Sequence, residues 1–290
     1  MGLRRVPLGT TGLEVARLGF GGAVIGIPDY LTAGRRDDAG FMDAARAAPI
    51  RAFEAGVNLF DTAPGYGGGR SEEVYGEALE GRRRDIVLAT KVGVAPGDPP
   101  ERWWASVKQS LIRLRTDHVD VLQLHGNTWD DEKAVWVLDE VVPWLREVRE
   151  AGLTRFVGIT AEAPSGGLED LIRSGAFDTL QIAYNVIYQD PCDHQRAPFG
   201  VIPMARAAGM GILTMRTTTS GVLRKLLQAE FPELPAERIA RLAINFVLST
   251  PEIDCALVGM NTAAEVDANV ALAADDGNRI DVDALHYRFV

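Results

Sequence analysis

The chain has 290 residues, of which 47% are hydrophobic and 24% charged, with a formal net charge of −10 at pH 7. This composition is typical of a globular protein with a large core, and it excludes disordered and fibrous classes. The negative charge and the lack of a long basic run argue against nucleic acid as a partner. Because no apolar stretch approaches the roughly 20 residues that span a bilayer, we expect no membrane partner either.

Short apolar runs alternate with longer segments of helical spacing along the whole chain. Several of the short runs are apolar throughout, as in parallel strands that are covered on both faces. Eight strands are predicted, at Ala16–Phe20, Val57–Phe60, Ile86–Thr90, Val119–Leu124, Phe156–Thr160, Thr179–Ala183, Gly211–Met215 and Ala256–Val258.

Helical segments fill the intervals between these strands. Ser71 is predicted as an N-cap that is followed by acidic residues, and Pro143 is predicted to distort the longest helix. The predicted helices are Ala44–Ala55, Ser71–Leu79, Glu101–Arg115, Glu132–Glu150, Leu168–Ser174, Ile202–Ala208, Pro235–Leu248 and Ala263–Ala273.

Eight strand–helix units in a chain of this length predict a closed (β/α)8 barrel, formed by residues 1–290 as one domain. An open doubly wound sheet is the alternative, although nothing in the sequence marks a reversal of strand order. Before the first unit, Val6–Leu8 and Leu13–Val15 flank Gly9–Gly12 and predict a β-hairpin. We expect this hairpin to close the bottom of the barrel.

Three segments that follow strands are longer than a plain barrel needs: Gly22–Asp43, Asn127–Asp131 and Asn185–Pro198. Loops that follow strands lie at the carboxyl end of a barrel, which is where barrel enzymes place their sites. We therefore expect the functional site at that end.

Four ionisable residues are predicted to meet at this end. Asp61 and Tyr66 follow the second strand, Lys91 ends the third, and His125 ends the fourth. Carbonyl reduction needs a hydride at carbon and a proton at oxygen, and tyrosine is a weak acid with an ordinary pKa of about 10. A nearby ammonium favours the phenolate, so Lys91 can assist proton release from Tyr66 while Asp61 holds Lys91. His125 can hydrogen-bond the carbonyl oxygen.

Each of the four residues also has a purely structural interpretation. An aspartate can cap a turn, a tyrosine can be a surface aromatic, a lysine can be solvated, and a histidine can be hydrogen-bonded in the interior. Four independent structural roles at the ends of adjacent strands would be a coincidence, so a shared functional role is favoured. Clusters of this kind can nevertheless be structural.

Several segments carry a resemblance to a known family. They are Leu-Gly-Thr-Thr-Gly-Leu-Glu-Val, Leu-Gly-Phe-Gly-Gly, Phe-Asp-Thr-Ala-Pro-Gly-Tyr-Gly, Ser-Glu-Glu-Val-Tyr-Gly-Glu-Ala-Leu and Ala-Thr-Lys. From roughly Arg4 to Ala274, the chain resembles the aldo-keto reductases, in particular their sugar-dehydrogenase and aldehyde-reductase branch. The resemblance implies a (β/α)8 barrel, NADP or NAD as cofactor and no metal. It also implies that Tyr66 is the general acid/base, with Lys91, Asp61 and His125 in support.

The same resemblance implies a cofactor site. Thr160 and Gln181 match the residues that hold the nicotinamide amide, and Met215 replaces the aromatic residue that usually stacks on the ring. The segment from Arg216 to Gly221 matches the loop around the pyrophosphate. The expected contacts are Gly22, Asp61, Thr160, Gln181, Met215, Arg216, Thr217, Thr218, Ser220, Gly259, Asn261, Glu265 and Asn269.

Two of these expectations have alternatives. The phosphate loop could be a plain strand-to-helix turn that is capped by Ser220 or a threonine. At the adenosine end, Asn261 and Glu265 stand where basic residues or glutamine are common in the family, while Asn269 matches its adenine-contacting asparagine. An acidic group repels a ribose 2′-phosphate but accepts hydrogen bonds from a 2′-hydroxyl. We therefore expect NADH to bind at least comparably to NADPH.

Three functions are considered. The first is a cytoplasmic enzyme that reduces an aldehyde or ketone or oxidises a sugar-like hydroxyl; the two distant cysteines and the lack of a signal-like N-terminus favour this compartment. The second is a nicotinamide-binding regulatory or channel-associated subunit with little turnover. The third is a barrel isomerase or lyase, for which Lys91 could form a Schiff base. Side chains that could shape a substrate pocket, or equally pack between helices, are Tyr30, Trp104, Asn127 and Trp129.

Overall fold

A computed structural model describes residues 2–27, 39–194 and 200–287 of the chain. Its strands are β1 (Arg5–Pro7), β2 (Glu14–Ala16), β3 (Leu18–Gly21), β4 (Leu59–Asp61), β5 (Val87–Val92), β6 (Val119–Leu124), β7 (Thr154–Ala161), β8 (Thr179–Ala183), β9 (Gly211–Met215) and β10 (Cys255–Val258).

Strands β3 to β10 form a closed barrel in which each strand pairs with its sequence neighbour and β10 returns to β3. Every pairing in the barrel is parallel. The predicted (β/α)8 barrel is therefore confirmed, and the open-sheet alternative is wrong. All eight predicted strands are present, and those at Val119–Leu124, Thr179–Ala183 and Gly211–Met215 have the predicted bounds.

Helices surround the barrel and shield the outer faces of its strands. They are α1 (Ala23–Gly26), α2 (Ala39–Glu54), α3 (Arg70–Ala78), α4 (Pro100–Arg113), α5 (Asp131–Trp136), α6 (Val142–Glu150), α7 (Gly166–Arg173), α8 (Val201–Ala207), α9 (Val222–Glu230), α10 (Ala236–Leu248), α11 (Ala263–Ala274) and α12 (Val282–Tyr287).

The predicted helices all exist, with three corrections. The long helix Glu132–Glu150 divides into α5 and α6 around a π-helical turn at Val137–Val141, because Pro143 has no N–H to continue the α-helical ladder. Ser71 is not an N-cap: α3 starts after Gly69, and Ser71 is buried within it. The short α1 and the helices α9 and α12 were not predicted.

The N-terminal hairpin closes the bottom of the barrel, as predicted. Strands β1 and β2 pair antiparallel. Leu8 and Leu13, between these strands, and Val15, in β2, are buried in a cluster with inward-facing barrel side chains such as Leu59 and Val121. A second, larger apolar cluster lies between the barrel and its helices. Apolar side chains therefore pack against both faces of the strands, which explains their continuous apolar runs.

Two of the long predicted loops fall partly outside the described residues. Residues 28–38 of the first loop, including Tyr30, and residues 195–199 of the third are not described. Among the helices that are described, none has the length and apolar composition needed to cross a membrane.

Candidate active site

The carboxyl end of the barrel brings the four predicted catalytic residues together. Asp61 is the last residue of β4, Lys91 lies near the end of β5, and His125 directly follows β6. Tyr66 lies in the turn between β4 and α3. Because the strands are parallel and in register, these side chains are delivered to one mouth.

Lys91 is the centre of the arrangement. Its Nζ donates to both carboxylate oxygens of Asp61 and to the carbonyl oxygen of Thr62, each at 2.8 Å. Both charged side chains are buried. Burial alone would lower the pKa of Lys91, but the charge of Asp61 and the neighbouring Tyr66 outweigh it and raise this pKa. Lys91 therefore stays an ammonium ion.

Asp61 is held from several sides. Its Oδ1 accepts a hydrogen bond from Nε2 of Gln123 on β6 at 3.0 Å, in addition to the bonds from Lys91. Burial raises the pKa of Asp61, whereas Lys91 and hydrogen bonds from Gln123 and Gln181 act against that rise. With the side chains of Lys91 and Gln123 donating to it, the buried carboxylate balances the lysine charge.

Tyr66 and His125 face each other above this pair. The Nζ of Lys91 lies 4.9 Å from the centre of the Tyr66 ring and also hydrogen-bonds with Tyr66. The rings of Tyr66 and His125 meet edge to face with centroids 6.1 Å apart. Burial of the imidazole and the charge of Lys91 lower the pKa of His125 to about 4, although part of its ring faces the open mouth. His125 is therefore neutral at physiological pH.

The turn that carries Tyr66 depends on glycine. Gly67, Gly68 and Gly69 all have positive φ angles, and a Cβ on Gly67 would collide with the carbonyl of Gly26. The buried Ser71 fastens the turn: its N–H donates to the carbonyl of Tyr66, and its hydroxyl donates to the carbonyl of Gly22. Ser71 thus fixes the catalytic turn from inside α3.

Two adjoining cavities form one groove across this end of the barrel. A cavity of about 310 Å³ is lined by Asp61, Tyr66 and His125. A second, of about 470 Å³, runs between α10 and α11. The two cavities share lining residues, namely Thr218, Gly221, Arg224, Gly259 and Asn261. An elongated groove that starts at Asp61, Tyr66 and His125 suits an extended molecule such as a dinucleotide.

The groove contains nearly all of the predicted cofactor contacts. The first cavity is lined by Asp61, Thr160, Gln181, Met215, Arg216, Thr217, Thr218, Ser220, Gly259 and Asn261. The second also reaches Glu265 and Asn269. Gly22 does not line either cavity, since it packs against Ser71 and Asp61, but its neighbours Gly21 and Ala23 line the first.

The catalytic end of the groove offers a partner for a nicotinamide amide. Gln181 lines the cavity, and its buried Oε1 has no hydrogen-bond partner within the described part of the chain. A buried amide oxygen left in this state favours a ligand that donates to it. Thr160 is different, because its hydroxyl donates to the carbonyl of Gly126 and accepts from the N–H of Gly126. Gln181 therefore fits the cofactor better than Thr160 does.

The loop after β9 has an unusual backbone. Arg216, Thr219 and Ser220 have φ angles of 56°, 59° and 54°, and Gly221 follows at 78°. Left-handed non-glycine residues are costly and cluster at functional sites, and successive turns of this kind form concave backbone sites for anions. The hydroxyl of Thr219 accepts from the N–H of Leu223, so one threonine also caps the following helix. The phosphate-loop and capping interpretations are thus compatible.

The far end of the groove is organised by two side-chain hydrogen bonds at the start of α11. The carboxylate of Glu265 accepts from the N–H of Asn261 at 2.6 Å, while the hydroxyl of Thr262 accepts from the N–H of Glu265. Glu265 therefore starts α11 and places an exposed negative charge on the wall that also carries Asn269.

Comparison with known proteins agrees with this geometry. The model of the aldo/keto reductase family matches residues 17–281. The chain belongs to the aldo/keto reductase family. It is 30% identical to an L-galactose dehydrogenase of Arabidopsis thaliana, over 92% of this chain and 87% of that protein. It is 27% identical to a D-threo-aldose 1-dehydrogenase of a Pseudomonas species, over 91% of each chain.

The fold comparison points the same way. The structure of an aldo-keto reductase from Bacillus halodurans superposes with a TM-score of 0.76 at 24% identity, covering 99% of this chain and 96% of that one. The predicted family and barrel are confirmed. As a member of the aldo/keto reductase family, the chain is an NAD(P)-dependent oxidoreductase, as predicted.

Several residues around the aldo-keto reductase site were not singled out from the sequence. Gln123 holds Asp61, Glu162 pairs with Arg216, and Arg224 lies where the two cavities join. Their common signal is a polar side chain at or just after a strand end, or in the first turn of a helix that follows one. Many surface residues are polar side chains in such positions, so this feature alone does not distinguish site residues from other surface residues.

The residues that were expected either to shape a substrate pocket or to pack between helices have different positions in the structure. Asn127 lines the first cavity. Trp129 is buried, and its indole N–H donates to the carbonyl of Thr160, so it acts as packing beneath the site. Trp104 packs against Trp144, away from the cavity lining. The packing interpretation therefore describes both tryptophans.

Proposed function

We propose that Tyr66 is the general acid/base of this enzyme and that Lys91, Asp61 and His125 support it. The observation that carries this proposal is the position of the buried Lys91 ammonium, which contacts both Asp61 and Tyr66, two residues that line the cavity. A cation in that position stabilises negative charge on the phenolic oxygen when the proton leaves.

The remaining groups position the reactants. Bound nicotinamide supplies the hydride for reduction and takes it up in oxidation. Gln181 and Met215 would hold its amide and ring, since both line the catalytic end of the groove. Neutral His125 can donate a hydrogen bond to the substrate oxygen without competing as an acid with Tyr66.

The hydrogen bonds of Lys91 argue against a Schiff-base enzyme. An ammonium has three N–H groups, and Lys91 has three acceptors at 2.8 Å in addition to its contact with Tyr66. Its pKa is raised, whereas a nucleophilic lysine needs a lowered one. The isomerase or lyase interpretation therefore has no support at this site, and a complete set of proton-transfer groups disfavours a subunit without turnover.

We infer that the substrate is a neutral, polyhydroxylated aldehyde or its cyclic form, as in an aldose. Two relatives matched over about nine-tenths of this chain are named as dehydrogenases of such sugars. Beside the catalytic residues, the cavity wall carries polar groups from His125, Asn127 and Glu162 that can bind several hydroxyls. We also propose a cytoplasmic location, for which the two free cysteines are a supporting observation.

Tyr66→Phe tests the catalytic proposal. Cofactor absorbance is followed with NAD or NADP and a panel of aldoses, and with the reduced cofactors and a panel of aldehydes. Loss of one acid/base group is expected to lower turnover by about 10²- to 10⁴-fold. Cofactor binding, measured by tryptophan fluorescence, is expected to persist. The matched control is Tyr188→Phe, an exposed tyrosine that lines neither cavity. Equal turnover in the wild-type protein and Tyr66→Phe would remove Tyr66 from the mechanism.

A further inference from the structure

An ion pair lies on the wall of the catalytic cavity. Glu162, just after β7, binds Arg216, just after β9, through two parallel contacts: Oε1 to Nη2 at 2.8 Å and Oε2 to Nε at 2.7 Å. The pair therefore passes over the end of β8, which lies between those strands. Both residues line the same cavity as Tyr66 and His125.

The backbones of both partners are fastened in place. The N–H of Glu162 donates to the carbonyl of Asn127 at 2.7 Å. The side-chain amide of Asn185 donates to the carbonyl of Arg216 at 3.0 Å, at the point where the Arg216 φ angle is 56°. A two-point contact between a guanidinium and a carboxylate fixes the relative orientation of the two groups as well as the distance between them. The pair is thus a built feature of the wall, although water reaches one side of it.

Charge at this end of the groove is neutralised in pairs. Lys91 balances Asp61, Arg216 balances Glu162, and His125 carries no charge at neutral pH. Among the described lining residues of the first cavity, the one other charged side chain is Arg224, which lies where this cavity meets the second. A substrate at the catalytic end therefore meets a surface rich in hydrogen-bonding groups without an unpaired charge.

We propose that the Glu162–Arg216 pair determines substrate charge selectivity, favouring uncharged aldehydes and sugars over substrates that carry a carboxylate. The inference rests on the proposed function, because it concerns the substrate of that site. Glu162 occupies the guanidinium fork that would otherwise bind a carboxylate in the same two-point geometry. Because the pair as a whole is neutral, it offers no net positive charge to compensate an incoming carboxylate for its lost hydration.

The test uses two aldehydes of similar planar shape, 4-nitrobenzaldehyde and 4-carboxybenzaldehyde, which differ in charge. The measured quantity is the ratio of kcat/KM for the carboxylate to kcat/KM for the nitro compound, at saturating reduced cofactor. Glu162→Gln preserves the shape and frees Arg216, so the ratio is expected to rise about tenfold, as expected for one unpaired charge near a partly screened site. This rise should shrink at high salt.

The reciprocal variants complete the design. Arg216→Gln leaves Glu162 unpaired and is expected to lower the ratio, whereas the double variant restores neutrality and should return it close to the wild-type value. An unchanged ratio in Glu162→Gln with both aldehydes still reduced would overturn the inference alone. If the wild-type protein reduces neither aldehyde and oxidises no aldose, the proposed function is contradicted instead. Should Glu162→Gln fail to fold, the Arg216→Gln ratio decides, and a value equal to wild type overturns the inference.

Discussion

The two ends of the barrel interior are built from the same strands but have opposite character. Toward the bottom, Leu59, Val121 and the hairpin residue Leu8 form a closed apolar cluster. At the top, Asp61 and Gln123 belong to the polar constellation around the catalytic lysine. Side chains two residues apart face the same side of a strand. Within one strand, the inward-facing side chain two residues after an apolar core residue can therefore belong to the polar site.

This alternation separates stability from catalysis within single strands. In β5 the inward-facing residues Val87 and Ala89 belong to the apolar cluster, and Lys91 follows them. Residues at the bottom can therefore be optimised for packing while those at the top serve chemistry, as in other barrel enzymes. Variants at the two ends should accordingly affect different measurable quantities.

The largest effect on activity, apart from that of Tyr66, is expected at His125. His125→Ala removes a hydrogen-bond donor at the substrate oxygen, so kcat/KM is expected to fall by about 10²- to 10³-fold. Urea denaturation should show little change, because the ring faces the open mouth. In the wild-type protein, a pKa of about 4 implies that no ionisation of His125 shapes the pH profile of kcat/KM between about pH 5 and pH 8.

The control for this prediction is His118→Ala, which changes a histidine outside both cavities that pairs with Asp117. It should leave kcat/KM unaltered. If His125→Ala lowered the free energy of unfolding by as much as it raised the free-energy barrier derived from kcat/KM, the proposed division between the two ends of the barrel would be contradicted.

The converse effect is expected at the bottom. Leu8 is fully buried inside the barrel, so Leu8→Ala should lower the free energy of unfolding by about 2–5 kcal/mol through lost burial and a residual cavity. At temperatures where the variant remains folded, kcat should stay close to the wild-type value. Chemical denaturation and steady-state kinetics on the same preparation measure the two quantities. A reduced kcat in Leu8→Ala with an unaltered free energy of unfolding would show that packing at the bottom of the barrel affects catalysis, and it would contradict the prediction.

The smallest effect is expected at the far end of the groove. Glu265→Gln retains an oxygen that can accept from the N–H of Asn261, so the start of α11 should persist. Removing the negative charge should shift the ratio of Kd values in favour of NADPH by about three- to tenfold, and the wild-type protein should bind NADH at least comparably. Fluorescence titrations measure both ratios, with Glu233→Gln as a control outside the groove. Strong NADPH preference in the wild-type protein would contradict this assignment.

Much of this architecture follows from local patterns in the sequence. Buried parallel strands require continuous apolar runs, so the strands were recognisable and three have the predicted bounds. The meeting of the proposed catalytic residues was predictable because strand ends in a barrel converge, which makes Asp61, Lys91 and His125 neighbours in space.

The unpredicted features depend on contacts that distant segments create. Ser71 has the residue type and position of an N-cap, yet it is buried because α3 packs against the turn at Gly22. Glu162 and Arg216 are 54 positions apart, and each looks like an ordinary loop charge until the barrel brings their strands to either side of β8. Helix α9, which was not predicted, has no buried residue and so is not part of the core that the other helices cover.

The hydrogen bonds to Asp61 also have a mechanical consequence. One carboxylate on β4 is joined to Lys91 on β5 and to Gln123 on β6. Hydrogen bonds between side chains of neighbouring strands oppose any widening or flattening of the barrel at this end. We therefore expect this part of the rim to be stiff, and we expect any movement that admits or releases a ligand to involve the loops above it.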